Sequence, residues 1–502
     1  MSFVLPAARW RPEELGLPIP DERHAVSVCL PRWQDNVGYE EGDPAVTGAM
    51  QCGYPRFFIH PDTLRLFHAC EQQTESASDE CCFAFPTARV AERCAEFIRR
   101  HAECDATVHE SFGGQVYAVR MPETARNTAK AFWQHAGEIV PSRQAADLLN
   151  GRQPQSDAAA EKQTIRQRVA EIPGCPSEDV YLFPSGMAAI YAGYRAFQHC
   201  RPNARSVQFG FPYVDALKVQ QRFSQQSDEA NAVAFYPHGS AADLDDVERL
   251  SASEPVLGLI CEIPGNPLLT SPDLDRLSRT ALQHDVPLMV DDTLGACLNL
   301  NALPVSDAVT TSLTKYFSGA GNVLAGSLVL NRNRPSYDRL KSALDADFED
   351  LLYPEEAILL EANSRDIADR VPRINDNTLR LCEILRDHPA VEHVYYPAFD
   401  DNDHYRRFQR AGGGFGGLFS VVLRDAPRTT PAFFDALQIS KGPNLGTNFS
   451  LCCPYTILAH YEELEFAEQC GISRYLIRVS IGLEDSTTLI RHFRDALESS
   501  SS

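Results

Sequence analysis

Between residues 162 and 330 short apolar runs alternate with longer amphipathic stretches, and the period of the pattern switches between strand-like and helical. The runs fall at 180–183, 206–209, 256–263, 286–290, 308–313 and 326–330, and several are apolar throughout. A strand buried on both faces loses the inside/outside alternation of an exposed sheet, and the intervening lengths accommodate crossover helices. The pattern predicts an α/β domain with a mainly parallel sheet.

The flanking segments read differently. Residues 1–61 are rich in proline and turn formers and predict an extended N-terminal arm lying against something else. Residues 62–150 predict a helical lead-in to the α/β domain of 62–330, because apolar positions recur at helical intervals in 88–100 and 123–136. A polar, linker-like stretch follows at 152–161. Beyond residue 331 an acidic, leucine-rich segment, a helix at 375–387 and strands at 391–395 and 418–423 predict a smaller α+β domain to 497, with 498–502 as a disordered tail. The glycine run 412–417 opens no helix, so it lacks the context of a nucleotide loop and reads as a close backbone approach.

With 502 residues the chain is long enough for two or three domains, and 44% hydrophobic residues supply a core. A net charge of −22 argues against a protein that grips nucleic acid through its phosphates. No stretch approaches the roughly 20 apolar residues that cross a bilayer, and the first 30 residues carry acids and prolines where a signal peptide would be apolar, so the cytosol is the expected location. Fifteen cysteines without metal-ligand spacing predict reduced thiols packed as small apolar residues and no metal site.

The chemistry concentrates at strand ends. Lys315, with Ser312 and Thr314 before it, follows the run at 308–313, where an α/β sheet presents its carboxyl edge to ligands. With extended backbone the two hydroxyls share a side and a phosphate, while the lysine reaches an aldehyde on the same cofactor; taken alone, such a segment more often marks a surface lysine with a packed stem. Asp291 and Asp292 end another run, a position for pairing with a protonated pyridine nitrogen, for a helix cap or for magnesium. Ser185, Gly186 and Met187 read as a tight turn opening a helix, whose first amides favour a phosphate.

These segments, in this order, together with Glu262-x-x-x-Asn-Pro267 and Ile477-Arg-Val-Ser-Ile-Gly-Leu-Glu-Asp485, resemble the Cys/Met-metabolism family of enzymes dependent on pyridoxal 5'-phosphate (PLP). Gly53-Tyr-Pro-Arg-Phe-Phe-Ile-His60, Phe211-Pro-Tyr-Val-Asp215 and Lys441-Gly-Pro-Asn-Leu-Gly-Thr-Asn-Phe449 resemble its fungal cystathionine γ-synthase branch. The likeness implies the fold-type I transferase architecture, a mainly parallel seven-stranded sheet flanked by helices with a smaller C-terminal α+β domain.

The resemblance also implies roles. Lys315 forms the internal aldimine and shuttles protons, Asp291 keeps the pyridine nitrogen protonated, and Tyr213 stacks on the ring. Ser185, Gly186, Met187, Ser312 and Thr314 hold the phosphate within the subunit, whereas Tyr54 and Arg56 reach the phosphate of a neighbouring subunit in a homotetramer with shared sites. Tyr54 and Tyr213 join Lys315 in catalysis. Arg478 grips the substrate α-carboxylate, with Asn266 and Asn444 beside the amino-acid moiety. The implied reaction is γ-substitution on an O-acyl-L-homoserine, O-acetyl-L-homoserine foremost, through a vinylglycine-type intermediate with cysteine as nucleophile; a carbon nucleophile such as a β-keto acid, γ-elimination and a non-catalytic scaffold are the alternatives. The sequence departs from the family at Asp292, Leu294, Asn322 and Asn444, the last standing where a serine is usual.

Overall fold

The computed structural model describes residues 5–226, 231–399 and 403–501. Three sheets organise them. The first is antiparallel, in the order β1-β3-β2, from β1 (Glu80–Phe85), β2 (Thr107–Ser111) and β3 (Val116–Pro122). This corrects the expectation of a helical lead-in: the helices Ala88–Ala102 and Arg126–Ala136 are present, but they pack around three strands. β1 escapes a periodicity reading because five of its six residues are buried on both faces, Cys81 and Cys82 among them.

The central sheet has seven strands in the order β4-β10-β9-β8-β7-β5-β6: β4 (Val180–Phe183), β5 (Arg205–Phe209), β6 (Val233–Tyr236), β7 (Val256–Glu262), β8 (Leu288–Asp291), β9 (Ala308–Thr311) and β10 (Gly326–Leu330). Only β10 runs against its neighbours β4 and β9. The uninterrupted apolar runs have a direct cause. Tyr181 and Phe183 of β4, Met289 of β8 and Leu328 of β10 enter one hydrophobic core, whereas Val180, Leu182, Leu288, Val290 and Val329 enter a second core on the other face. Each such leucine or valine, fully withdrawn from water, stabilises the fold by about 1.5–3 kcal/mol relative to exposure. β6 is the strand the apolar pattern misses, and its residues are only half-buried.

The third sheet, in the order β11-β12-β15-β14-β13, comprises β11 (Val391–Tyr395), β12 (Leu418–Leu423), β13 (Ser440–Lys441), β14 (Leu451–Pro454) and β15 (Ile477–Ser480). The glycine run before β12 is a close approach: a Cβ at Gly417 would lie 2.4 Å from Ile374 Cγ2, and one at Gly414 2.4 Å from Asn375 Nδ2. The helix Ser486–Ser501 corrects the expectation of a disordered tail over 498–501, while Ser502 lies outside the described residues.

The N-terminal arm carries more structure than extended chain. It contains the helix Trp33–Glu40 and its own small core of Ala25, Val28, Leu30, Val46, Met50 and Cys52. It is tied to the C-terminal domain by Lys441 Nζ of β13 donating to the Pro31 carbonyl at 3.1 Å and by Trp33 N–H donating to Asp435 of the helix Ala426–Ala436 at 2.7 Å. All fifteen cysteines are free thiols and none is exposed. Among the described residues no helix is long and apolar enough to cross a membrane.

Candidate active site

β9 ends at Thr311 and the chain turns at once, so Lys315 is held in a tight turn instead of continuing the strand. The lysine is buried, 8% exposed, and Gly446 closes over it with φ +69°, where an added Cβ would lie 2.9 Å from Lys315 Cβ. Its Nζ sits 4.4 Å from the centre of the Tyr54 ring and donates to Asn444 Oδ1 at 2.5 Å. Burial lowers the Lys315 ammonium below the usual lysine range, and the cations Arg478 and Arg56 act in the same direction. Burial alone would raise Tyr54, but Lys315 and Arg56 outweigh it and lower the phenol. The Asn444 Nδ2 is buried and has no hydrogen-bond partner.

The turn at 312–318 alters the expected pairing of Ser312 with Thr314, because the backbone there is not extended. The Thr314 hydroxyl accepts from Ala325 N–H at 3.0 Å and donates to its carbonyl at 3.3 Å, so it staples the turn to β10. Ser185 is likewise committed: its hydroxyl caps the helix Gly186–Cys200 by accepting from Ala188 N–H at 3.0 Å, and donates to the Gly137 carbonyl at 2.8 Å. Both residues line the cavity, yet their hydroxyls are spent on structure. What remains for an anion is the pair of amides of Gly186 and Met187 in the first turn of that helix, with Ser312 against Gly186.

Neighbouring strands bring two carboxyls together. In the register of β7 and β8, Glu262 lies opposite Asp291. Asp291 accepts from Thr293 N–H at 2.8 Å and from the Thr310 hydroxyl at 3.2 Å. Glu262 accepts from the N–H groups of Tyr213 at 2.6 Å and Asn266 at 3.2 Å, and thereby fixes two loops that line the cavity. Burial raises both carboxyls, and the Asp291 charge raises Glu262 further. Asp292 points away from the cavity, into a small void beside Arg410 and Thr311, and burial pushes it up to about 7.

Arg56 is the most deeply buried cation of the site. It pairs with Asp215 at 2.6 Å, donates to the Gln134 carbonyl at 3.0 Å and donates to the Tyr213 hydroxyl. This corrects the expectation that Tyr54 and Arg56 serve a neighbouring subunit: both line the cavity of their own chain, because Asp215 and Gln134 anchor the arginine there. On the opposite wall, Arg478 of β15 donates to Asn266 Oδ1 at 3.2 Å and to the Pro443 carbonyl at 2.7 Å, and lies 4.7 Å from the centre of the Tyr455 ring. No carboxylate of the described residues pairs with it. The cavity therefore gathers Lys315, Asp291, Tyr54, Arg56, Tyr213, Gly186, Ser312, Asn266 and Arg478 from widely separated segments.

Sequence reasoning assigned no role to Asp215, Tyr455 or Glu40, which also stand at the site. Asp215 had a signal, since a buried arginine requires a nearby acid and Asp215 follows Tyr213 by two residues; Tyr455 had none. His24, His60 and Asp62 come together elsewhere, but the carboxylate is taken by Arg23 at 2.7 Å and both ring nitrogens of His60 face backbone groups.

Residues 158–498 match the model of the Cys/Met metabolism PLP-dependent enzyme, and residues 62–141 that of the fungal trans-sulfuration enzyme N-terminal domain. The chain belongs to the Cys/Met-metabolism family of PLP-dependent enzymes. It is 37% identical to a cystathionine gamma-synthase of Neurospora crassa over 97% of this chain and 98% of that one. It is 34% identical, over 96% of each, to the cystathionine gamma-synthase-like enzyme iboG2 of Amanita muscaria. The cystathionine gamma synthase structure from Xanthomonas oryzae pv. oryzae in complex with cystathionine superposes with a TM-score of 0.60 at 23% identity, over 70% of this chain and 89% of that one, a likeness of fold.

PLP is the cofactor of this family, and the residues present fit it. A buried amine with a lowered proton affinity suits covalent capture of an aldehyde. Two free amides at a helix start suit a phosphate, and Gly186 permits the approach, since a Cβ there would lie 2.7 Å from Ser312 Cβ. Asp291 at a strand end suits a ring nitrogen.

Proposed function

We propose that this enzyme performs γ-substitution on an O-acyl-L-homoserine, O-acetyl-L-homoserine foremost, with cysteine as the nucleophile. What carries this is the placement of Arg478: a buried guanidinium without a carboxylate partner, facing the same cavity as Lys315. An uncompensated buried cation is costly, and the fork of a guanidinium matches the α-carboxylate of an amino acid. The likeness to the Neurospora protein, which extends along nearly the whole of both chains, supports the choice of γ-substitution within the family.

When bound, PLP supplies the aldehyde that holds the substrate amino group and a ring that accepts the electron pair left at Cα. In this proposal Lys315 holds it covalently, Asp291 meets the ring nitrogen, Tyr213 meets the ring face, and Gly186, Met187 and Ser312 take the phosphate. Arg478 orients the amino acid through its carboxylate. Lys315 Nζ, whose proton affinity burial lowers, accepts the proton from Cα and returns it later. Asn444 Oδ1 receives the Lys315 ammonium when that proton is on Nζ, which fixes the amine between transfers. The Tyr54 ring covers the amine and excludes water from it. A homotetrameric assembly is part of the proposal, and sedimentation of the holoenzyme measures it.

A second reading, with a carbon nucleophile such as a β-keto acid, is supported by Asn444, whose unpartnered Nδ2–H group is a donor for an enolate oxygen where a hydroxyl is usual. Incubating the holoenzyme with O-acetyl-L-homoserine and, separately, cysteine, sulfide and acetoacetate distinguishes the two by product mass. Cystathionine is the expected product; a carbon-linked adduct with acetoacetate alone would replace the first reading by the second, and no product with any of them would defeat both.

A further inference from the structure

Glu40 is the last residue of the helix Trp33–Glu40 in the N-terminal arm, and it lines the same cavity as Lys315 and Arg478. Every other charged group in that cavity is matched or held. Arg56 has Asp215, Lys315 has Asn444, Arg478 has Asn266 and a carbonyl, Glu262 takes two backbone N–H groups and Asp291 takes one plus a hydroxyl. The Glu40 carboxyl makes no hydrogen bond and no ion pair to any described residue. Its position is also unfavourable, for a carboxylate at a helix C-terminus opposes the dipole, and this one is half-buried beside Tyr39, which packs on the arm's small core. Burial pushes its carboxyl up to about 7, with Lys130 drawing it down and Glu462 pushing it up; Tyr39 is the adjoining titratable group. A half-buried acid that faces the cavity, with no hydrogen-bond partner among the described residues, is free to meet a ligand cation there.

The chemistry of that ligand follows from the opposite wall. The helix Trp33–Glu40 packs against the helix Tyr455–His460, whose first residue lies under Arg478. Arg478 thus serves the carboxylate of the first amino acid, and the cavity still presents, on the arm side, one carboxyl that no described residue hydrogen-bonds, which an incoming ammonium would hold ionised. We infer that Glu40 receives the ammonium group of an amino-acid nucleophile and so sets the specificity for the second substrate. The inference rests on the γ-substitution reading, in which a thiol sulfur bonds to Cγ, the Cγ–O bond breaks and acetate leaves with the thiol proton.

The test compares L-cysteine with 3-mercaptopropionate, the same thiol acid with hydrogen in place of the amine, each with O-acetyl-L-homoserine on the holoenzyme. The wild type should prefer cysteine in kcat/KM, and Glu40→Gln should reduce the ratio of the two kcat/KM values by on the order of tenfold to a hundredfold, the loss typical of removing one partner of a charge pair. Glu40→Lys should lower the ratio further, since it repels the ammonium and attracts the anionic thiol acid. Retained visible absorbance of bound PLP shows that each variant is folded. No preference in the wild type, or an unchanged ratio in Glu40→Gln, overturns the role of Glu40 while leaving γ-substitution standing. No thioether from either thiol with the wild type overturns γ-substitution, and the role of Glu40 with it.

Discussion

Arg56 and Asp215 meet at 2.6 Å in an ion pair closed to solvent, their side chains 2% and 1% exposed. The pair fixes the Tyr54 loop against the helix that follows Tyr213, so it couples the arm to the α/β domain. Removing one partner leaves the other charge buried, and Asp215→Ala should lower stability by about 3–5 kcal/mol. Burial alone would raise the Asp215 carboxyl, but Arg56 and His135 outweigh it and hold it well below the usual range. A depressed carboxyl contributes stability that is present above the unfolded carboxylate range and lost as pH falls toward the folded value. The thermal midpoint of Asp215→Ala should therefore lie below that of the wild type at pH 7, with the gap narrowing in acid.

Lys315 carries the opposite sign. Burial lowers its ammonium, so between the lowered folded value and the ordinary lysine range the unfolded chain binds more protons and stability rises with pH. In the apo protein Lys315→Met should be more stable than the wild type at pH 7, by an amount that shrinks as pH approaches 10. The same variant should have neither turnover nor the visible absorbance of covalently held PLP. Full activity in Lys315→Met would end its assignment as the catalytic amine.

Asp292 stands where the family usually has asparagine, and burial pushes it up to about 7. A raised carboxyl stabilises the folded state only while protonated, so its contribution falls as pH rises from the unfolded carboxylate range to about 7 and is level above it. Asp292→Asn should match the wild type in thermal midpoint near pH 4 and exceed it above pH 7. Equal midpoints at both would show that the void beside Arg410 admits enough water to solvate the charge.

Much of this was legible because burial leaves a mark on composition. The strands at 180–183 and 326–330 have the predicted bounds, since residues sealed on both faces are mainly apolar, with Ser327 the buried exception. β1 was equally buried but used cysteines and alanine, which read as filler and not as strand. Asp291 ends β8, Lys315 sits in the turn four residues after β9 ends, and Arg478 lies within β15, places that the order of the motifs makes legible. Ser185 and Thr314 show the limit of that logic: a motif places a hydroxyl near a site without saying which backbone group claims it. The cis-chain placement of Tyr54 and Arg56 was invisible because their anchor, Asp215, is 159 residues away from Arg56.

Gly186 tests the anion cradle. A Cβ there would come within 2.7 Å of Ser312 Cβ and 3.1 Å of Ser312 Cα, an approach that the turn cannot accommodate without moving Ser312. Gly186→Val should weaken PLP binding on the order of tenfold or more, since a shift of ~1 Å disturbs every phosphate contact made from a helix start. Fluorescence titration of the apo variant with PLP measures it, and an unchanged affinity would place the phosphate elsewhere.

Arg478 reaches the cavity with one guanidinium nitrogen on Asn266 and another on the Pro443 carbonyl, so its plane is fixed before any substrate arrives. Lysine at this position would keep the charge but lose the fork and the stacking over Tyr455. Arg478→Lys should therefore raise KM for the amino-acid substrate by on the order of tenfold to a hundredfold, the equivalent of about 1.5–3 kcal/mol for a charge-assisted bidentate contact. PLP absorbance should persist, because Arg478 holds no part of the phosphate or ring in this arrangement. Asn266→Ala, which frees one guanidinium nitrogen without removing the charge, should show the same direction with a smaller effect; if it instead exceeds Arg478→Lys, Asn266 and not the arginine would be the main carboxylate ligand.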